Sequence, residues 1–240
     1  MKSFMVILPF ALSYSWIEQL SVVGRDGLPQ GPPGYPRGNV MRSSPEFSDR
    51  LMIYLLPDLK TPEYICAPSQ RRQVQTEGSP RLKARPGDPV VLQYRENGHI
   101  TWMSPGKLSP GKVYIYATTM PTPTDLLRDI HNMWSPDGRG GDQRGWLLGA
   151  FDFDDGMCFQ INESPLSYYR RARFEDIPGI IDENNLSCKN MISIPSDIRA
   201  TILSLYWVWD WPTNKGRLDE KEEIYTTCMD IDLIMDNVCL

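Results

Sequence analysis

Apolar and polar residues alternate along five stretches of the chain: 16–23, 89–95, 112–119, 203–210 and 222–233. A period of two sends successive side chains to opposite faces of an extended backbone, so each stretch predicts a strand. Long connections rich in proline and glycine separate them, and residues 24–38 predict an ordered surface loop or a linker-like excursion. Several short strands with long loops predict an all-β fold, an antiparallel β-sandwich of the immunoglobulin or fibronectin type with at most short helices. Helical periodicity is confined to residues 124–134. There Thr124 is placed to cap, Asp125 follows it, and Leu127, Ile130 and Trp134 share one stripe, which predicts one short helix in a loop. In the segment from Tyr206 to Pro212, Trp207, Trp209 and Trp211 fall on one face of a strand as a wide apolar wall.

With 240 residues, 41% of them apolar, the chain holds enough material for one sizeable core, which excludes a disordered tail or a disulfide miniprotein. No repeat and no shift in composition divides it, so residues 14–240 are expected to form one domain. A net charge of −5 supplies no basic stripe for a phosphate backbone, and a nucleic-acid partner is not expected. The most apolar run, residues 4–12, is too short to span a membrane and contains Pro9. It follows Lys2 and ends in Ala11, Leu12 and Ser13, the layout of a secretory signal peptide over residues 1–13 that leaves Tyr14 first. A buried N-terminal strand is the alternative.

Secretion changes how the five cysteines are read, because an oxidising route favours disulfides. Cys66, Cys158, Cys188, Cys228 and Cys239 contain no C-x-x-C pair, so two bridges and one leftover thiol are expected. Several connectivities are open; Cys66 with Cys228 and Cys158 with Cys188 is the favoured one. Asn162 and Asn185 each begin an N-x-S acceptor for glycosylation, the first weakened by Pro165.

Only two histidines, His99 and His131, are available to any imidazole-based site. His99 follows Asn97-Gly98, a tight turn that is expected to present the ring at a loop edge. His131 lies four residues after Leu127 and reads as a packed ring. No G-x-S-x-G elbow supports a serine hydrolase. The carboxylates of Asp152, Asp154 and Asp155 could serve glycoside hydrolysis or calcium only if they converged, and they read more simply as an acidic turn on a solvated face.

Trp207-x-Trp209, followed by Glu223, Tyr225 and Cys228 in an E-x-Y-x-x-C arrangement, resembles the closing strands of lytic polysaccharide monooxygenases, especially the fungal chitin-active branch. Further segments extend the resemblance, still more closely, to an uncharacterised family of secreted fungal proteins related to those enzymes. These are residues 15–20, 34–40, 75–82, 96–99, 140–145, 205–212 and 224–228. The resemblance implies a histidine-brace copper site in which His99 is the second imidazole, Tyr225 is the catalytic residue in the axial position, and Cys228 is bridged. The family begins its mature chain with histidine, and this sequence has Tyr14 there. The metal set implied is therefore the Tyr14 amine, the His99 ring and the Tyr225 oxygen, with copper as cofactor and one nitrogen donor short. The expected function is that of a secreted, monooxygenase-like protein associated with cell-wall polysaccharide, its copper site incomplete. A non-catalytic glycan-binding or structural wall protein is the alternative.

Overall fold

The computed structural model describes residues 14–103, 107–174, 185–213, 216–218 and 220–235; the expected signal peptide and Cys239 lie outside them. Among the described residues the strands are β1 (Ile17–Val23), β2 (Pro29–Gly34), β3 (Leu55–Leu56), β4 (Leu82–Ala84), β5 (Pro89–Tyr94), β6 (Lys112–Thr118), β7 (Gly145–Asp152), β8 (Phe159–Gln160), β9 (Asn185–Leu186), β10 (Cys188–Ser193), β11 (Ile202–Asp210) and β12 (Ile224–Leu233). The helices are α1 (Asp49–Met52), α2 (Leu127–Ile130) and α3 (Pro165–Arg171). All five expected strands are present, with ends that differ by no more than two residues.

Two sheets face each other. The first runs β10-β5-β1-β2, and the second runs β3-β12-β11-β6-β7 with β4 added parallel to β12; every other pairing in both is antiparallel. Their inner faces meet in one core. Ile17, Leu20, Leu92 and Tyr94 come from the first sheet, and Ile115, Leu205, Trp207, Trp209, Tyr225 and Met229 from the second. The alternation along β11 sends Trp207 and Trp209 into this core, while Tyr206 and Val208 point to the opposite face. That opposite face is apolar too, and loop residues Ile65, Leu127, Ile130 and Trp134 cover it as a second core.

The cover is fastened by polar and covalent links. Arg37, buried like its partner, donates Nε to Asp230 Oδ2 at 2.8 Å and Nη2 to Oδ1 at 2.6 Å, and it also donates to Ser204 Oγ and the Gln70 carbonyl. Burial acts to raise the Asp230 pKa, but these bonds and the guanidinium charge win and hold the carboxyl below its usual range. Two residues back on β12, Cys228 is bonded to Cys66, and Cys158 is bonded to Cys188, the pairing favoured from the sequence.

Two expectations are corrected. Residues 24–38 hold strand β2, an edge strand against β1, where prolines are tolerated because an edge strand has a neighbour on one side only. It ends at Gly34, where a Cβ would lie 2.1 Å from the Leu82 backbone nitrogen, so only glycine lets the chain cross so closely. The helix expected over 124–134 shrinks to the single turn of α2. Backbone bonds from Ile65 to the Asp125 carbonyl and from Leu127 to the Glu63 carbonyl hold its start extended, and Leu126 rather than Thr124 is the N-cap. Strands β7 and β10 and helix α3 were not anticipated. The edge strand β7 is largely half-exposed on both faces and carries no clean alternation.

Both bridges close loops, and the cost of closing a loop in the unfolded chain grows with its length. The Cys66–Cys228 bridge spans 162 positions and the Cys158–Cys188 bridge 30. Replacing each pair by alanine is expected to cost about 5 kcal/mol for the first and about 3.5 kcal/mol for the second. Guanidinium unfolding of the two double variants checks the order; equal or inverted losses contradict it.

Candidate functional site

The positions marked by the sequence converge at one end of the sandwich. Tyr14 leads into β1, and its carbonyl accepts a hydrogen bond from Asn97 Nδ2 while Ser15 Oγ donates to the Arg95 carbonyl at 2.8 Å. The Ile17 amide then donates across the sandwich to Thr227 Oγ1 on β12 at 3.2 Å, so the N-terminal strand is registered against the strand that carries Tyr225. Tyr14 and Tyr225 lie ring to ring at 5.8 Å, and Tyr225 stacks on Trp209 at 5.0 Å. His99 meets Trp209 edge-on at 4.7 Å and Trp211 at 4.2 Å.

His99 is positioned by the loop built on Glu96. This buried carboxylate accepts from the amides of Ile100 (2.7 Å), Thr101 (3.2 Å) and Gln160 (2.9 Å) and from the Thr101 hydroxyl. Asn97 (φ 46°) and Gly98 (φ 85°) take left-handed conformations, the first tolerated by asparagine and the second natural to glycine. The turn is as expected, but its consequence is not. His99 is 1% exposed, enclosed by Trp209, Trp211 and Phe153, rather than presented at a solvent-reachable edge. The tryptophans are themselves pinned: Trp209 Nε1 donates to the Pro110 carbonyl at 2.8 Å and Trp211 Nε1 to the Ser109 carbonyl at 2.9 Å.

Behind the rings lies a charged cluster that short-range sequence reading did not connect. Lys107 Nζ donates to the Trp211 carbonyl and to Glu223 Oε2 and sits 3.6 Å from the Trp211 ring centre. Burial pulls the Lys107 pKa down, opposed by Glu223. The Tyr225 hydroxyl donates to the other Glu223 oxygen. Burial first, and then this bond to a carboxylate, push the Tyr225 pKa up, so the phenol keeps its proton.

These residues do not fit a histidine brace. A brace needs two imidazoles, and His131 belongs to the second core, where its Nδ1 shares a 3.1 Å hydrogen bond with the Tyr116 hydroxyl. The single imidazole at the Tyr14 end is closed in by indoles, and the Tyr225 oxygen is a protonated donor to Glu223. The one cluster of three ligand-type side chains among the described residues is Asp155, Cys158 and Cys188, and its two sulfurs are spent in the disulfide.

The acidic turn is structural rather than merely solvated. Asp154 forms a two-pronged pair with Arg170 at 2.8 and 2.7 Å, and Asp155 accepts from the amides of Met157, Cys158 and Lys189. Of the glycosylation acceptors, Asn162 directs its Nδ2 to Thr101 Oγ1 at 2.6 Å, and Asn185 sits in β9 opposite Gln160.

A family model for a domain of unknown function, DUF7492, matches residues 11–239. The chain belongs to the DUF7492 family. Solved structures similar to this DUF7492 protein include CvAA9A, at 13% identity and a TM-score of 0.46 over 93% of this chain and 80% of that one. A cellulose-active polysaccharide monooxygenase from M. thermophila is 10% identical, with a TM-score of 0.43 over 93% and 79% of the two chains. Cel61B of Hypocrea jecorina, a glycoside hydrolase family 61 member, is 12% identical, with a TM-score of 0.37 over 93% and 82%. No curated protein matches the chain. At these identities the likeness is one of general outline, and no residue role of the DUF7492 protein is taken from it.

Burial depresses the His131 pKa from 6.5 to about 4. The unfolded chain therefore takes up a proton before the folded one does, and stability present above pH 6.5 is lost as pH falls towards 4. The expected loss is about 3 kcal/mol between pH 7 and pH 4. Urea midpoints across that window should fall less steeply for His131→Gln than for the wild type; parallel curves contradict the assignment.

Proposed function

We propose that this chain is a secreted, monooxygenase-like sandwich that associates with polysaccharide and does not carry out copper-dependent oxidation. The observation that carries the reading is the enclosure of His99 by Trp209 and Trp211 beside the Tyr14–Tyr225 ring pair. The end of the molecule implied by the sequence resemblance as a copper centre is filled with interlocked aromatic rings. It offers one shielded imidazole where the chemistry needs two open ones.

The same loop supports a binding role. Three residues beyond His99, Trp102 is 62% exposed, and its amide donates to the Gly98 carbonyl at 3.1 Å, so the loop that buries one ring displays the next. Exposed indoles supply a flat apolar face against which a sugar ring can stack. Tyr168 and Tyr169 are exposed on α3, whose N-terminal turn is bonded to this loop through Ser167, Asn162 and Thr101. A loop that displays an exposed aromatic residue suits an extended, uncharged chain.

Two measurements test this. Adsorption to insoluble cellulose and chitin is expected to weaken by roughly tenfold in Trp102→Ala, the loss typical of removing a well-supported aromatic anchor. No adsorption by the wild type overturns the binding role. Cu(II) titration of protein beginning at Tyr14 is expected to show weak binding, little changed by Tyr14→His because His99 stays enclosed. Sharp tightening in Tyr14→His that His99→Ala abolishes contradicts the non-oxidative reading.

A further inference from the structure

The sequence segments 15–20 and 34–40 do not both end in the aromatic cluster around Tyr225. They meet instead at a cleft of about 260 Å³ between the outer face of β1 and the segment 39–47. Trp16, Glu18 and Tyr35 form one side, Arg42 and Phe47 the other, and Arg95 lies in the floor. The walls are built rather than left over. The Arg42 guanidinium sits 4.8 Å from the Trp16 ring centre and 5.1 Å from that of Phe47, which themselves lie 6.3 Å apart. Its Nε and Nη2 donate to both oxygens of Glu18 at 2.6–3.1 Å, and Arg95 approaches the same carboxylate at 3.8 Å.

We infer that this cleft is a binding site for a single pyranose ring of an uncharged sugar, separate from the aromatic end of the sandwich. Three features select that ligand class. The volume lies just below the 300–1,000 Å³ or so of drug-sized sites, which suits one ring and not a run of several. The half-buried rings of Tyr35 and Phe47 match the C–H faces of a pyranose, and Trp16, buried under the Arg42 guanidinium, backs the wall. Between them stands the Arg42–Glu18 pair, and with Arg95 3.8 Å from Glu18 and Asp49 3.6 Å from Arg42 the local charges, two of each sign, offset one another. A hydroxyl can donate to Glu18 and accept from Arg42 while that pair remains intact, whereas an anion would have to displace Glu18 from its arginines. Since Arg42 is held by stacking and a two-pronged bond before any ligand arrives, little ordering is left to be done on binding.

The inference shares the sugar class of the polysaccharide reading but not its surface, so the two fail separately. Saturation-transfer NMR on the full secreted chain, with soluble glucose and N-acetylglucosamine as probes, reads the cleft without any adsorption step. At least one of the two sugars is expected to show transfer to its ring protons, with a dissociation constant of millimolar order for so small a ligand. Phe47→Ala removes one wall, and Ser43→Trp, on an exposed position at the mouth, fills it without touching the core. Each is expected to weaken binding by about tenfold or more, with far-ultraviolet dichroism unchanged. No transfer to either sugar, or equal transfer in the wild type and both variants, overturns the site. Displacement of the sugar by equimolar acetate overturns the ligand class, because carboxylate recognition by the arginines would then be the operative chemistry.

Discussion

Strands β11 and β12 are apolar on both faces, and most of the architecture answers to that constraint. A sheet with one apolar face needs one partner; this one has the β1–β5 sheet against its inner face and would leave Tyr206, Val208, Ile224 and Cys228 in water on the other. The long segments between strands are the solution. They fold back as a second cover, and because loops carry many backbone polar groups, the cover needs specific fastening. Arg37 supplies it by entering from the segment after β2 and meeting Asp230 on the outer face of β12, with Ser204 and Gln70 completing its hydrogen bonds. A buried ion pair of this kind gains little over an apolar substitute, but losing one partner leaves a charge stranded. The pair therefore acts more as a locator of the cover than as a source of stability. The Cys66–Cys228 bridge holds the same surface covalently.

The chemistry available at the Tyr14 end follows from the inner face of the same strands. Placing Trp207, Trp209 and Trp211 on one side of β11 fills the interior with indoles, and the last two reach the edge where His99 arrives. A histidine at that edge could be open to solvent or packed against the tryptophans. The Glu96 loop decides between these by turning the ring inward while the next turn carries Trp102 outward. Binding through exposed aromatic surface is then compatible with the geometry, and a metal centre that needs accessible nitrogens is not.

The sugar-sized cleft arises where the chain enters β1: Ile17 joins the core, while Trp16, just before the strand, and Glu18 form a wall that the segment 39–47 closes. One strand thus serves the core with one face and a surface site with the other, as its period of two allows.

The five strongest strands, the sandwich class and the tryptophan wall were legible because each rests on local periodicity, a property of neighbouring residues. The two-bridge count was legible from the number and spacing of cysteines. Strand β7 escaped because an edge strand half-exposed on both faces needs no alternation, and β2 escaped because its prolines and glycines read as a turn when its neighbour is unknown. The short helix was overestimated because Asp125 and Leu127 exchange backbone bonds with residues some sixty positions earlier, which no window contains. The site shows the same division. Counting residues was enough to show that His99 and His131 are the two imidazoles available to any site, while Tyr14, His99 and Tyr225 were singled out by resemblance rather than by periodicity. That His99 is closed in by indoles and that Arg42, Glu18 and Arg95 gather in one cleft emerges from the folded chain alone, because burial and charge pairing depend on which distant segments pack together.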